Sequence, residues 1–518
     1  MTDNQISLSA LIQELDTIRK TIISRSKAIP AGFFDALHPN HRDSARNLVH
    51  YLCLRTFDLR PLQEQLTTLG ISSISHPERF TLVNLDNVLH ILHLLKGESI
   101  QAVPAPFTFD YPKGKKQLQK NTNSIFGTSD RFGARIMVTM PTEASTDYIL
   151  VKKLIEAGMD IARINCSHDT EMEWKKMTEN IRKATAELHK NCLVYMDLPG
   201  PKLRTGEVNP KLAKKKKKKN KLKPAGITLF KGDILQVHKA DILGEDAHRS
   251  ALGMVLEPAK ISTTLPEIFE DVKVNDPIWF DDGKIGGHVV KVSAEKFDVL
   301  ITQAKPKGNR LRADKGINLP ETDLTLPPLT PVDLEILPFA CQYADIVGYS
   351  FVRKPEDVHL LQRHLKQLGR EDIAIVLKIE TQDAFNNLPA LLFAAMQSPH
   401  FGVMIARGDL AIEVGFTRIA EVQEQILWIC DAAHVPIIWA TQVLENLAKE
   451  GIASRAEITD AAMSVRAECV MLNKGPYIIE ALQALSNIND RMVHHQFKKQ
   501  DALRPLNIAR HFFSKNQL

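Results

Sequence analysis

Two segments of this chain carry residues whose types and spacing can do chemistry: VLKIETQDAF, with Lys378 and Glu380, and VMIARGDLAIEV, with Asp409. Each is a run of apolar, strand-forming residues that ends in charge. Side chains two apart on a strand point the same way, so Lys378 and Glu380 share a face. In a closed parallel barrel such strand ends open onto the active face, which would set one ammonium and two carboxylates around a single pocket. Magnesium prefers hard oxygen ligands and is commonly held by one or two carboxylates while substrate oxygens and water complete its shell. Glu380 and Asp409 suit that role, and the Lys378 ammonium would stabilise an oxyanion or a phosphoryl group in transfer. For either string in isolation, a buried ion pair between neighbouring strands is the better reading. Their company shifts the balance.

Short strand-like runs recur along the chain: ARIMVTM (134–140), IARINCS (161–167), LVYMDL (193–198), ADIVGYSF (344–351), AIVLKIE (374–380), GVMIARGDL (402–410), PIIWATQ (436–442) and CVMLNK (469–474). Between them lie amphipathic stretches such as DYILVKKLIEAGM, TPVDLEILPFACQYA, IAEVQEQILWICDAAH and EITDAAMSVRAE. This alternation predicts an α/β chain folded as a (β/α)8 TIM barrel. The rival is an open doubly wound sheet, but no glycine-rich dinucleotide loop follows the first run. Polar residues gather at the strand ends: Arg163, Asn165, Ser167 and His168 after the second, Asp197 and Arg204 after the third, Thr441 and Gln442 after the seventh. Polar side chains recurring at one end of so many strands point to a shared site.

The remaining sequence divides around that barrel, predicted to occupy residues 131–205 and 314–490. Residues 1–130 hold ISLSALIQELDTIRKTIISRS, DSARNLVHYLCLRTFDLRPLQEQLTTLG and LDNVLHILHLLKG, which read as amphipathic helices of an N-terminal helical domain. Residues 206–313 hold ITLFKGDILQV, DPIWFDDGKIGGHVVKV and KFDVLITQA, alternating strands punctuated by glycine and aspartate, as in a small inserted β-barrel cap. Residues 491–518 form a C-terminal tail. Within the cap, KLAKKKKKKNKLK (211–223) is a low-complexity run. Like charges in a block repel and stay solvated, and no aromatic residues interleave these lysines for base stacking, so no nucleic acid is expected as a partner.

Composition sets outer limits. With 518 residues, 44% hydrophobic content and a net charge of +5, the chain can bury two or three cores and is neither disordered nor strongly polyanion-seeking. Its cysteines at 53, 166, 192, 341, 430 and 469 form no CxxC pattern, and buried free thiols are expected. The start MTDNQISLSALIQEL has no basic region followed by an apolar core, and no long apolar run occurs. A cytoplasmic location without membrane contact is the resulting expectation.

Between residues 134 and 485 the chain resembles the pyruvate kinase family. IEAGMDIARINCSH is similar to its second-strand signature and DLPGPKLRTG to its third, while DDGKI and KGINLP resemble its cap segments. SFVRKPEDV, KIE, ARGDLAIE, ATQVLEN and SRAEITDAA then follow in the family's order. The resemblance implies transfer of a phosphoryl group from phosphoenolpyruvate to ADP with Mg2+, in glycolysis. Arg163 would bind the substrate phosphate and Lys378 would stabilise the transferring group and the enolate. Glu380 and Asp409 would hold Mg2+, the backbone of Ala406, Arg407 and Gly408 would receive the substrate carboxylate, and Thr441 would sit beside the carbon that is protonated. His168, Arg204 and Lys315 would face the nucleotide phosphates, with Asp282 on the mobile lid.

The family's monovalent-cation site maps to Asn165, Ser167, Asp197 and the carbonyl of Leu198. Lys202 stands where potassium-dependent members carry glutamate and potassium-independent members carry lysine, so K+ is expected to be dispensable. Pro199 departs from the usual pattern in the same loop. The eighth strand ends MLNKGPYIIEAL, without the serine and glutamate the family has there, and TMPTEAS replaces TIGPAS after the first. These departures keep two other readings open: a Mg2+-dependent lyase acting on 2-oxo acids through a pyruvate enolate, and a catalytically weak regulatory protein that senses phosphoenolpyruvate. Residues 491–518 are too short for the further C-terminal domain usual in the family, so activation through that domain is not expected. Pairing into a homo-oligomer through a helical face stays open.

Overall fold

A computed structural model describes residues 7–98, 109–129, 133–215, 222–492 and 505–515. Part of the lysine run, residues 216–221, lies outside them.

Eight parallel strands close into a barrel: Arg135–Thr139, Ile161–Asn165, Leu193–Asp197, Ile346–Tyr349, Ala374–Ile379, Phe401–Ala406, Ile437–Ala440 and Cys469–Leu472. Seven fall within the expected runs, and the sixth begins one residue before its run, at Phe401. The strands are buried almost throughout and rich in Ile, Val and Met, as strands covered on both faces must be. Helices follow them, and several start at sequence-legible caps. Asp147 accepts a hydrogen bond from the Leu150 amide at 2.9 Å to open the helix Tyr148–Glu156. Thr330 and Asp333 form a capping box at the start of Pro331–Tyr343.

Register aligns the polar strand ends. Thr139 pairs with Arg163, and two residues further along the strands Asn165 pairs with Asp197 and Asp197 with Gly348, which stacks these residues in two successive levels. Gly348 is needed there, because a Cβ at that position would lie 2.0 Å from the Tyr195 hydroxyl and 2.5 Å from an Asp197 carboxylate oxygen.

The N-terminal segment is helical as expected, with helices Leu8–Ala28, Arg42–Leu54, Arg60–Thr68 and Thr81–Leu95. The second expected stretch is broken between Leu54 and Arg60, where Pro61 fixes the first turn of the new helix. The apolar residues of these helices belong to the same continuous cluster as those of the barrel helices. Polar contacts reinforce the seam: Asn47 donates to the carbonyl of Ala432 at 2.8 Å, and Arg79 pairs with Asp431 at 2.8 Å.

One further helix, Tyr111–Phe126, was not anticipated. Asp110 caps it by accepting from the Lys113 amide at 2.8 Å, and Gly127 ends it at φ 76°. Ile125 and Phe126 at its tip join Met137, Tyr195, Val376, Met404 and Met471 in the barrel's interior cluster. The helix therefore plugs the end of the barrel opposite the strand-end residues.

The insertion after the third strand contains the expected alternating strands around its own apolar cluster. Its main sheet runs in the order Ala259–Ser262, Ile234–His238, Lys296–Gln303, Ile285–Val292, Pro277–Phe280, Ile317–Asn318, with Asn309–Leu311 paired to Ile227–Leu229 beside it. The end strands of that sheet do not pair directly, but residues 203–206 bridge them: Arg204 bridges Gly316 beside the last strand and Thr205 bridges Thr263 beside the first, so the sheet closes into the small barrel expected. Alternation decides which face is buried, and these single bridges supply the closure. The last strand, Ile317–Asn318, lies beyond the expected limit of 313. The C-terminal helix Asn507–Lys515 packs on the barrel helix Leu388–Ala395.

All cysteines are buried free thiols. Among the described residues, no helix is long and apolar enough to cross a membrane.

Candidate active site

Lys378 is the centre of the strand-end cluster. Its ammonium lies 3.2 Å from a carboxylate oxygen of Asp197, 3.2 Å from Glu380 and 2.7 Å from the Ser350 hydroxyl. Burial alone would favour the neutral amine, but Asp197 and Glu380 outweigh it and hold the pKa above its usual value. Lys378 is therefore a fixed cation at only 8% exposure.

Asp197 is the shared anion. Besides Lys378 it accepts from Nε of Arg163 at 3.0 Å, and the second arm of that guanidinium reaches the same oxygen. Burial pushes the carboxyl up, but Lys378 and Arg163 overcome this and hold it below the ordinary range. Arg163 also donates to the Thr139 hydroxyl at 3.0 Å, which anchors it to the first strand.

Glu380 accepts from the Phe351 amide at 2.7 Å as well as pairing with Lys378. Burial raises its pKa, Lys378 opposes that, and the nearby Asp409 adds to it. Two carboxylates, Glu380 just beyond the fifth strand and Asp409 in the first turn of the helix Arg407–Glu413 that follows the sixth, repel each other out of bulk water and are a donor set that a divalent cation would relieve. Among the described residues no cluster of three or more His, Cys, Asp or Glu could hold a metal. Substrate and water oxygens would have to complete the shell, the arrangement Mg2+ commonly takes. The residues present thus fit the ion.

The expected monovalent-cation ligands are together but engaged. Asn165 accepts from the Ser167 amide at 3.2 Å, and the Leu198 carbonyl accepts from the Ser350 hydroxyl at 2.6 Å. Lys202 does not approach Asp197. Its ammonium lies 3.0 and 2.8 Å from the two oxygens of Asp409.

Around the seventh strand, the chain passes through left-handed backbone at Thr441 (φ 65°), Gln442 (φ 59°) and Leu444 (φ 48°). For a β-branched residue this is strained, and it aims Thr441 away from a strand continuation. Thr441 Oγ1 is buried without a hydrogen-bond partner. A Cβ placed on Gly408 would lie 3.6 Å from that hydroxyl, so the Gly408 backbone and Thr441 border the same space. The Arg407 side chain turns the other way: it donates to the Ala440 carbonyl at 3.1 Å, pairs with Asp460 at 2.5 Å and stacks on Trp439. Only the backbone of the Ala406–Gly408 turn is therefore offered to a ligand.

The expected nucleotide residues lie at the junction with the insertion. Arg204 is 3.4 Å from Asp314 and Lys315 is 3.7 Å from Asp281. Burial lowers the His168 pKa, and the cations Lys474 and Arg204 lower it further. Lys474, on the departing eighth-strand loop, thus belongs to this positive group. Asp282 is exposed and lies 3.9 Å from Lys284.

Ser350, which bonds to Lys378, is the member of this cluster that motif reading missed. It follows the fourth strand as the serine of VGYS, in the position where the other strands carry polar ends, and that position was its signal.

Fold and cluster together define a (β/α)8 barrel with a lysine and paired carboxylates at one face and a β insertion beside it. Residues 133–481 match the family described as pyruvate kinase, barrel domain. The chain is 33% identical over 356 residues to pyruvate kinase of Thermococcus litoralis, an alignment covering 67% of this chain and 66% of that protein. It is 31% identical over 355 residues to the Bacillus licheniformis pyruvate kinase, covering 67% and 55%. With the Clostridium acetobutylicum pyruvate kinase it shares 31% over 361 residues, covering 68% and 69%. It thus spans between about half and about two thirds of the length of these relatives. The chain belongs to the pyruvate kinase family.

Proposed function

We propose that this chain transfers the phosphoryl group of phosphoenolpyruvate to ADP, giving pyruvate and ATP in glycolysis. The observation that carries the reading is the buried Lys378 ammonium, held by Asp197, Glu380 and Ser350 where charge would develop on a transferring group. Phosphoryl transfer needs positioning and charge neutralisation more than covalent participation.

In this reading Arg163 and Lys378 neutralise the phosphoryl oxygens as the bond to the enol oxygen breaks and a bond to the terminal phosphate oxygen of ADP forms. The Ala406–Gly408 backbone receives the carboxylate. The enolate left behind takes a proton at its terminal carbon, and the unpartnered Thr441 hydroxyl borders that space. His168, Arg204 and Lys315 face the nucleotide phosphates. Glu380 and Asp409 would hold Mg2+, which when bound supplies a Lewis acid for the substrate's oxygens. Closure of the insertion excludes water and favours ADP as acceptor over hydrolysis.

K+ is dispensable in this reading, because Lys202 brings a fixed ammonium of the chain itself to the pocket, where it pairs with Asp409. A cytoplasmic location suits a glycolytic enzyme.

The test is pyruvate release from phosphoenolpyruvate and ADP with Mg2+, with and without K+, against Lys378→Ala. Release that is unchanged by K+ and falls by about 1,000-fold or more in the variant is the expected result. Bound phosphoenolpyruvate without release in either salt would refute the kinase reading in favour of a sensor. Nucleotide-independent consumption of a 2-oxo acid would favour a lyase.

A further inference from the structure

We infer that Lys202 is an internal cation that competes with the divalent metal for Asp409 and couples that competition to the hinge of the inserted sheet. The inference rests on the assignment of Asp409 as a metal ligand made above. Both oxygens of Asp409 accept from the Lys202 ammonium, at 3.0 and 2.8 Å. A metal coordinated by either oxygen meets that ammonium at the same atom. A like-charged neighbour this close, in a partly buried site, is not screened away by solvent.

The position of Lys202 in the chain gives the competition a mechanical side. On its N-terminal side the loop is tied to the barrel: the Leu198 amide donates to the Gly348 carbonyl at 3.0 Å and the Gly200 amide to Asp333 at 3.0 Å. Immediately after it, Leu203 is buried in the insertion's apolar cluster and accepts from the Ile317 amide at 2.9 Å. Lys202 is thus the residue where the chain crosses from one body of packing to the other. The return crossing passes beside it, since a Cβ on Gly316 would lie 3.4 Å from Lys202 Cε. The Lys202–Asp409 pair pins this double crossing to the sixth strand's end. Metal that takes Asp409 frees the pin, so the hinge loosens when the site is loaded and is held when it is empty.

Mn2+ serves as the probe, with free ion counted by electron paramagnetic resonance on the full chain and hinge amides followed by hydrogen exchange. Lys202→Met is expected to bind Mn2+ about tenfold more tightly than wild type, which corresponds to about 1.4 kcal/mol. In wild type, Mn2+ is expected to speed exchange at residues 202–206 and 314–317. In Lys202→Met and in Asp409→Asn those amides should exchange fast without metal and not respond to it. Lys202→Gln provides the same comparison should the methionine variant fold poorly. Equal Mn2+ affinity in wild type and the Lys202 variants, absence of Mn2+ binding, or hinge exchange in wild type that ignores Mn2+ would each overturn the inference. None of these readouts needs turnover: tighter Mn2+ binding in an inactive protein would uphold the latch and refute the kinase reading, whereas an active protein with an indifferent hinge would do the reverse.

Discussion

The Lys378 ammonium donates to the Ser350 hydroxyl at 2.7 Å, and that hydroxyl in turn donates a hydrogen bond to the carbonyl of Leu198 at 2.6 Å. Ser350 therefore fixes the lysine's direction as well as neutralising nothing itself. Ser350→Ala should leave Lys378 with its carboxylate partners alone and the Leu198 carbonyl unpaired, costing about 1–3 kcal/mol of stability. We expect kcat to fall about 10- to 100-fold with a smaller change in KM for phosphoenolpyruvate, and Ser350→Thr to recover part of it. Steady-state kinetics of the two variants side by side check this.

Thr441 combines a strained backbone with a buried hydroxyl that has no partner. Removing a group that is already unsatisfied should not destabilise the fold, so Thr441→Val is expected to hold or raise the melting temperature. Turnover should nevertheless fall by about 10- to 100-fold, the usual contribution of a positioned proton-transfer group. A drop in both quantities would mean that the hydroxyl is structural.

Stability should depend on pH through the seam between the N-terminal helices and the barrel. Burial, with Asp431 second for Glu78 and the Ile437 amide opposing for Glu468, raises both carboxyls to about 7. A carboxyl whose pKa is higher folded than unfolded favours folding while protonated, so its contribution is complete below about 4.5 and is lost as pH rises through about 7. Chemical denaturation at intervals from pH 5 to 8 should show stability falling by a few kcal/mol per group. Glu468→Gln, which can still accept from the Ile437 amide, should flatten part of that slope.

Phe126 fills the floor of the barrel at 2% exposure. Phe126→Ala should cost about 3–5 kcal/mol through lost burial and the cavity left behind. Deleting residues 1–128 should go further and yield an insoluble barrel, because the N-terminal helices share its apolar cluster. A soluble, active truncation would show instead that the helices are a dispensable module.

The eight strands were legible because each is a short β-branched run with one polar end, and the polar ends identified Arg163, Asp197, Lys378, Glu380 and Asp409 together. What stayed illegible depends on contacts between distant loops. The pairing of Lys202 with Asp409 joins residues 207 positions apart, and no local pattern distinguishes it from an approach to Asp197. The helix Tyr111–Phe126 was hidden because KGKKQLQKNTNS has few apolar positions; it buries mainly Leu118, Ile125 and Phe126. How the inserted sheet closes was illegible as well, because it closes through single bridges of Arg204 and Thr205 and alternation carries no information about edges.

The plug has a consequence for how the chain is made. Ile125 and Phe126 leave the ribosome before any barrel strand exists, and the eighth strand that completes their pocket ends at Leu472. Through most of translation the tip of that helix waits without its partners, alongside the apolar faces of the earlier helices. Nascent chains of this protein should therefore be substrates for holding chaperones until the barrel closes, and slow synthesis of the C-terminal half would prolong that exposure.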